Sequence, residues 1–436
     1  MKDIQVRELS YEGKTARLLY IKTICDSRIV RRELIDPFRG ARDEADYAEQ
    51  LLCFPECKPA ESREETERDV LEGAVVVWTD GRLLLFDARK EETAGIREAT
   101  IETAIQGPQN AFSENLDVSL NMLRSRYHSS SLQVDYVTVG SHTRTKVAVA
   151  YDDSAADPDT VRRLKEALQA LEVEIVQAAG ELHRLLSRRK WSLFPTMMIT
   201  ERPDRAIYNL AQGKVVLALQ GSSFVLIVPS VFYDFFSAMD DLYQLPVVSN
   251  FLMGLRYLGV TFSLILPSIY VAMVSYNPEW VRLQLALTIA GSRTSVPFPS
   301  FLEVLYMLLM MEILTEASVR LPKAIGSTAT TVGGLILGQA ASEAGLTSNI
   351  MIIIVATVAI SNFSITINAM SFAMRVTRYV FLLITSMFGL VGLLASIVGL
   401  TAYLAHLDSF GKPYFKLFLY PPKSELQNRW KRGLLP

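Results

Sequence analysis

The sequence predicts an α+β soluble N-terminal half, built from two repeated α/β subdomains, followed by an all-α polytopic membrane domain. Three observations carry this. From Tyr379 to Ala405 the chain runs without an Asp, Glu, Lys or Arg, and about 20 apolar residues suffice to cross a bilayer's hydrocarbon core. In lipid every backbone N–H and C=O needs an internal partner, which a continuous helix supplies. Charge is also unevenly distributed. The first half holds runs such as Glu61–Arg68, whereas between Ala324 and Met374 only Glu343 is ionised. The whole-chain figures, 50% hydrophobic and a net charge of −2, therefore average two unlike halves. Finally, two stretches of the first half read alike.

Taken in order, residues 1–105 are expected to form the first subdomain. Met1 to Lys14 is polar and lacks the apolar stretch and cleavage site of a signal peptide, so the soluble half is expected to remain cytoplasmic. Ala16–Ile21 reads as an apolar strand, followed by Cys25-Asp26-Ser27 and a helix containing Val30 and Leu34. Gly73–Asp87 reads as a hairpin, with Val75–Trp78 and Leu83–Phe86 on either side of Asp80-Gly81. That dipeptide accepts the positive φ angles a two-residue turn demands. Residues 106–130 form a linking helix: a Gly107-Pro108 turn, then Leu116, Leu120 and Leu123 on one face.

Residues 131–248 repeat the plan. Lys146–Tyr151 is again an apolar strand, Ala156-Asp157-Pro158 precedes a helix with Val161 and Leu164, and Val215–Leu217 pairs with Phe224–Val228 across Gln220-Gly221. Tyr20 and Tyr151 stand the same distance apart as Val30 and Val161. A shared offset of this kind marks an internal repeat.

Little in this half suggests chemistry. It has no Gly-rich phosphate loop, GxSxG, HExxH or convincing carboxylate pair. No enzyme activity and no cofactor are expected. Cys53 and Cys57 have a spacing that metal pairs use, but His128, His142, His183 and His406 are scattered, so Cys25, Cys53 and Cys57 read as structural or reduced thiols. Arg188-Arg189-Lys190 reads as a solvated patch or a contact for phosphate head groups. No nucleic-acid partner is expected.

Residues 249–408 form the expected transmembrane helical domain, with spans at Phe251–Ser275, Phe298–Ala317, Ala324–Ala344, Asn349–Phe372 and Tyr379–Leu407. Trp280–Ala290 is too short to cross, and lies at the interface or re-enters. Pro267 and the Pro297/Pro299 pair bend or start helices. Residues 409–436 form a tail carrying Lys412, Lys416, Lys423, Arg429, Lys431 and Arg432, which the positive-inside rule places in the cytoplasm. With both ends on one side the crossings must be even in number, four or six.

Ala324–Ala344 is the most suggestive span. Helical spacing aligns Ser327 or Thr328 with Thr331, Leu335, Gln339 and Ser342, while Gly333, Gly334 and Gly338 let neighbouring backbones approach. In a ring of such helices the hydroxyl and amide groups line a channel that Leu335 closes by dewetting. The other reading is that the small residues pack helices within one subunit while Ser and Thr bond their own backbone. Glu303, Glu312 and Glu316 lie on an otherwise apolar helix. A carboxylate in the membrane costs roughly 2.5 kcal/mol or more, so these should face protein, a partner or water. Glu312 and Glu316 either contribute to a cation-attracting ring or reach the interface beside Arg320 and Lys323.

The chain resembles the A-subunit family of GerA-type spore germination receptors along nearly its whole length. The matching patches are Gly107–Phe112, Glu114–Leu116, Phe194–Thr196, Thr200–Arg205, Phe224–Pro229, Arg256–Leu258, Ser295–Pro299, Arg320–Pro322, Gly338–Ala341 and Ser409–Tyr414. The family's Asp-Gly-Ser-Pro turn stands here as Gln220–Ser223. A customary Glu is missing near Thr294-Ser295, and Leu308 and Thr315 replace a usual Glu and Arg. Arg189–Trp191 and Tyr243–Pro246 are closer to a paralogue, stage V sporulation protein AF. The resemblance implies a subunit in the inner membrane of the dormant spore, assembled with a transporter-like B subunit and a lipoprotein C subunit. It further implies a homo-oligomeric ring, a pentamer, around a nutrient-gated ion pore. Two other readings stand beside it: a secondary transporter, disfavoured because the repeat lies only in the soluble half, and a non-conducting scaffold.

Overall fold

The computed structural model describes residues 3–90, 98–102, 106–187, 192–321 and 323–415, with the backbone alone for Val319 and residues 323–331. The basic positions from Lys416 onward, and Arg188-Arg189-Lys190, lie outside the described residues. The chain divides into two units. One comprises Met1–Ser192, Thr196–Ser230 and Ser409–Lys412, the other Leu193–Pro195, Val231–Asp408 and Pro413–Pro436.

The first unit holds two five-stranded antiparallel sheets. Strands β1 (Ile4–Tyr11), β2 (Lys14–Ile21), β3 (Cys57–Pro59), β4 (Ala74–Thr79) and β5 (Arg82–Asp87) lie in the order β1-β2-β4-β5-β3. Strands β6 (Leu132–Val139), β7 (Thr145–Asp152), β8 (Met198–Thr200), β9 (Val215–Leu219) and β10 (Val225–Val228) lie in the order β6-β7-β9-β10-β8. The two orders are the same, and so is the register: Arg17 faces Trp78 where Ala148 faces Ala218. To the strand–helix–hairpin plan each repeat adds a leading strand (β1, β6) and a short edge strand (β3, β8). Asp80 and Gly81 take φ angles of 50° and 67° and close the β4–β5 hairpin.

Helices α1 (Glu44–Leu52), α2 (Arg63–Glu72), α3 (Leu116–Arg124), α4 (Pro158–Gln169), α5 (Ala179–Leu186) and α6 (Pro203–Ala211) cover the sheets. Between Ser27 and Gly40 the chain is also helical, with a π-helical turn over Val30–Ile35. Equivalent carboxylates start the equivalent helices: Asp26 accepts from the Arg28 N–H and Asp157 from the Asp159 N–H. Each satisfies a donor that the first helical turn leaves open. One core gathers Leu18, Leu34, Phe38, Tyr47 and Val75, and the other Val149, Leu164, Leu182, Leu217 and Leu226. Phe410, from the returning segment, is buried in the second core. Leu116, Leu120 and Leu123 of the linking helix are all buried. Buried ion pairs tie the first repeat to the linking helix, through Asp3 and Arg124 at 2.5 Å, and to the second repeat, through Glu102 and Arg205 at 2.9 Å.

The second unit is helical: α7 (Pro246–Ser275), α8 (Leu283–Ser292), α9 (Ser300–Arg320), α10 (Lys323–Glu343), α11 (Asn349–Phe363) and α12 (Asn368–His406). By length and composition α7 and α12 are apolar enough to cross a membrane, and α8 and α11 are shorter apolar helices. The expected span Asn349–Phe372 instead ends at Phe363 and a new helix begins at Asn368. Tyr379–Leu407 corrects more sharply. It is not one continuous helix, because Gly389 (φ 59°, ψ −140°) breaks α12. A Cβ built on Gly392 would lie 2.6 Å from the Ile384 carbonyl oxygen, although residues eight apart in a straight helix are separated by about 12 Å. The chain therefore doubles back into two legs. Tyr276 fills the elbow, its hydroxyl donating to the Ser386 carbonyl.

Contacts fix the direction of each pass. Arg378 meets Ser263 and Gly389 meets Tyr276, so α7 and the first leg of α12 run the same way. Leu264, Phe381 and Leu393 share one cluster, which brings the second leg back. Ser300 of α9 bonds Ser275 at the end of α7, and Ser348, the cap of α11, bonds Glu303 near the start of α9. Thr366, past the end of α11, donates to the Phe235 carbonyl at 3.0 Å, ahead of α7. The passes α7, α9, α10, α11 and the two legs of α12 thus alternate in direction, six in all, with α8 at the end where α7 finishes.

Candidate functional site: polar groups among the helices

The stripe proposed from sequence lies on α10. Side chains of Ser327, Thr328 and Thr331 fall outside the described residues. Further along, the two faces separate. Gly333 and Gly334 lie against Leu314 of α9, and Gly338 lies nearest Ile352 of α11. Their lack of side chains lets α10 seat on its own chain's helices. The other face points outward, with Leu335 63% exposed beside exposed Val332 and Ile336. Gln339 is exposed as well, and Ser342 is half-buried with its hydroxyl 2.5 Å from the Asn349 side-chain oxygen. Glycines inward, Leu335 and Gln339 outward is the geometry of a helix with one face left for something beyond this chain.

The three acidic residues of α9 have separate fates. Glu303 is fully buried. Its Oε1 accepts from the Ser348 N–H and hydroxyl, both at 2.7 Å, and from Thr347 at 3.3 Å. Its Oε2 pairs with Arg293 Nε at 3.2 Å and lies 3.5 Å from the Tyr270 hydroxyl. One carboxylate thereby ties together α7, α9, the segment after α8 and the start of α11. Glu303 has no face open to a conduit, and it does not lie at an exposed interface.

Glu312 sits between two guanidinium groups, Arg375 at 3.1 Å and Arg378 at 2.9 Å. Arg378 is 1% exposed and also reaches Ser263 (3.3 Å) and the Asn362 oxygen (3.5 Å), to which Ser263 itself donates at 2.6 Å. α7, α9, α11 and α12 meet at this network. Glu316, by contrast, is exposed and pairs with Arg320 one turn away at 2.6 Å. Sequence reasoning named Arg320 beside Glu316 but missed Arg293, Arg375 and Arg378. Arg375 and Arg378 are three apart on one helix face, which was a usable signal, but they precede the uncharged run that fixed the expected span. Among the described residues no group of three or more His, Cys, Asp or Glu is placed to hold a metal ion.

Spore germination protein KA of Bacillus subtilis (strain 168) is 32% identical over 425 residues, covering 94% of this chain and 78% of that protein. An uncharacterized membrane protein of the same strain, YfkQ, is 30% identical over 420 residues, 94% of this chain and 82% of its own length. Among solved structures, the N-terminal domain of the A subunit of the Bacillus megaterium spore germinant receptor GerK3 is 20% identical, with a TM-score of 0.39, over 53% of this chain and 89% of that domain. A family profile described as Bacillus/Clostridium GerA spore germination protein matches residues 1–435. The chain belongs to the GerA spore germination protein family.

Proposed function

We propose that this chain is the A-type membrane subunit of a spore germinant receptor, and that copies of it surround a gated ion path lined by α10. Family membership over residues 1–435 supports the germination role. The observation that carries the ion path is the division of α10: its glycines seat on α9 and α11 while Leu335 and Gln339 face away. Six alternating passes fit a chain that crosses the bilayer six times and leaves both ends on the cytoplasmic side, in the spore inner membrane. A transporter-like B subunit and a lipoprotein C subunit are the proposed partners, and nutrient binding to the assembly is the proposed trigger.

In this reading Leu335 of each copy meets its counterparts at the axis. A ring of such side chains leaves a constriction too apolar to stay wet, so ions pass only when the helices separate. The test is conductance of the purified chain in planar bilayers, with and without its partners. Leu335→Ala is expected to conduct without germinant and to make spores lose cations while dormant. Silence of the parent chain under every condition, or an unchanged closed state in Leu335→Ala, would overturn the channel assignment.

A further inference from the structure

We infer that α8 is an in-plane helix seated at the boundary between headgroups and acyl chains, so that the bilayer surface itself is its binding partner. The inference rests on the membrane reading above. Ten residues at 1.5 Å each make α8 about 15 Å long, half of what a crossing needs. It lies where α7 finishes and where α9 and α11 begin, which in a six-pass bundle is the membrane boundary.

The helix is apolar around most of its circumference, with one short uncharged polar stripe. At 100° per residue Leu283, Ala286, Leu287 and Ala290 share one face. Gln284, Thr288, Gly291 and Ser292 share another, and Leu285 and Ile289 lie between them on the far side. Ile289 packs on the helical core, whereas Leu283 is 75% and Leu287 63% exposed. At the boundary that short stripe meets water while the apolar remainder meets acyl chains.

Both ends carry the groups that hold a helix at that depth. Trp280, 70% exposed, and Arg282, also exposed, precede it. Trp favours the headgroup level, and the Arg282 guanidinium complements lipid phosphate. The other end is held from within by Arg293, bound to buried Glu303 and donating to the Phe298 carbonyl at 3.0 Å. Neighbouring helices also expose apolar side chains, such as Leu302 on α9 and Ile353 on α11. Apolar exposure on several helices at once, flanked by Trp280 and Arg282, favours lipid over a separate polypeptide as the covering material.

Depth-dependent quenching of tryptophan fluorescence tests this. The full chain with Trp78, Trp191 and Trp430 changed to Phe retains Trp280 as its probe. It is reconstituted into phosphatidylcholine vesicles brominated either near the headgroup or near the terminal methyl. Shallow bromines are expected to quench Trp280 roughly twofold more strongly than deep ones, as befits a depth of about 5–10 Å. In a chain with all four tryptophans changed to Phe, Leu287→Trp is expected to report the same shallow profile. Stronger quenching of that probe by deep bromines would mean a re-entrant helix and overturn the inference. No lipid quenching beyond that by aqueous iodide would mean water or protein covers α8, which also overturns it. A chain that fails to float with the vesicles sinks the membrane reading itself, a separable outcome.

Discussion

Replacing Gly389 by Ala puts the doubled-back last helix to a direct test. Its φ of 59° with ψ of −140° belongs to a region that side-chain-bearing residues avoid, and holding one there costs about 1–3 kcal/mol. The new Cβ would also stand 2.8 Å from Tyr276 Cγ and 2.9 Å from its Cβ. Relieving that overlap adds about 1–3 kcal/mol, because Tyr276 is held by its bond to the Ser386 carbonyl. Gly389→Ala should therefore lose about 2–6 kcal/mol. The control is Gly399→Ala in the second leg, where a Cβ meets nothing within 4 Å. There the exchange should be neutral or stabilise by about 0.5–1 kcal/mol. Both variants can be compared with the parent by SDS titration in mixed micelles, following loss of helical signal. Equal gains at both sites would refute the elbow and restore a single straight helix.

Other outcomes follow from the ion pairs. Arg124→Ala leaves Asp3 buried without its cation, and removing one partner of such a pair costs about 3–5 kcal/mol; thermal unfolding of the full chain should show the loss, and an unchanged midpoint would mean that the contact between the first repeat and the linking helix contributes nothing. Glu303→Gln strands the Arg293 guanidinium at a similar cost of about 3–5 kcal/mol, and adding Arg293→Gln should recover most of it in the same SDS titration. Lys412, bonded to Asp157, holds that carboxyl below the usual range. A lowered folded-state pKa gives stability that is present at neutral pH and lost as pH falls through the depressed value. Hydrogen-exchange protection factors at residues 409–412, corrected for the intrinsic pH dependence of exchange, should therefore fall in acid, and Lys412→Ala should already be less protected at pH 7; equal protection in both would remove the pair's role.

Local signals made the first unit legible. Asp80-Gly81 dictated its own turn, and the leucines at 116, 120 and 123 declared a buried face by spacing alone. β1 escaped notice because seven of its eight residues are exposed, and a strand without a buried face has no alternation to read. The helical unit was legible only as greasy length. Gly389 lies between Phe388 and Leu390 in a run without charge, and a glycine there reads the same whether the helix continues or turns back. Its conformation is decided by Tyr276, more than a hundred positions earlier. The partner of Glu303 was hidden for the same reason, since pairing across helices leaves no mark in local spacing, and for Glu312 the only local hint was the three-residue spacing of Arg375 and Arg378.

The segment Ser409–Lys412 imposes an order on biosynthesis. A ribosome releases the first 230 residues long before Phe410, and domains ordinarily fold as they emerge. Here the second core waits for an aromatic ring that arrives only after every hydrophobic pass has been made. A polypeptide stalled or cleaved within its last helix never receives that ring, so the second core of the first unit closes only after every helix of the second unit has been made.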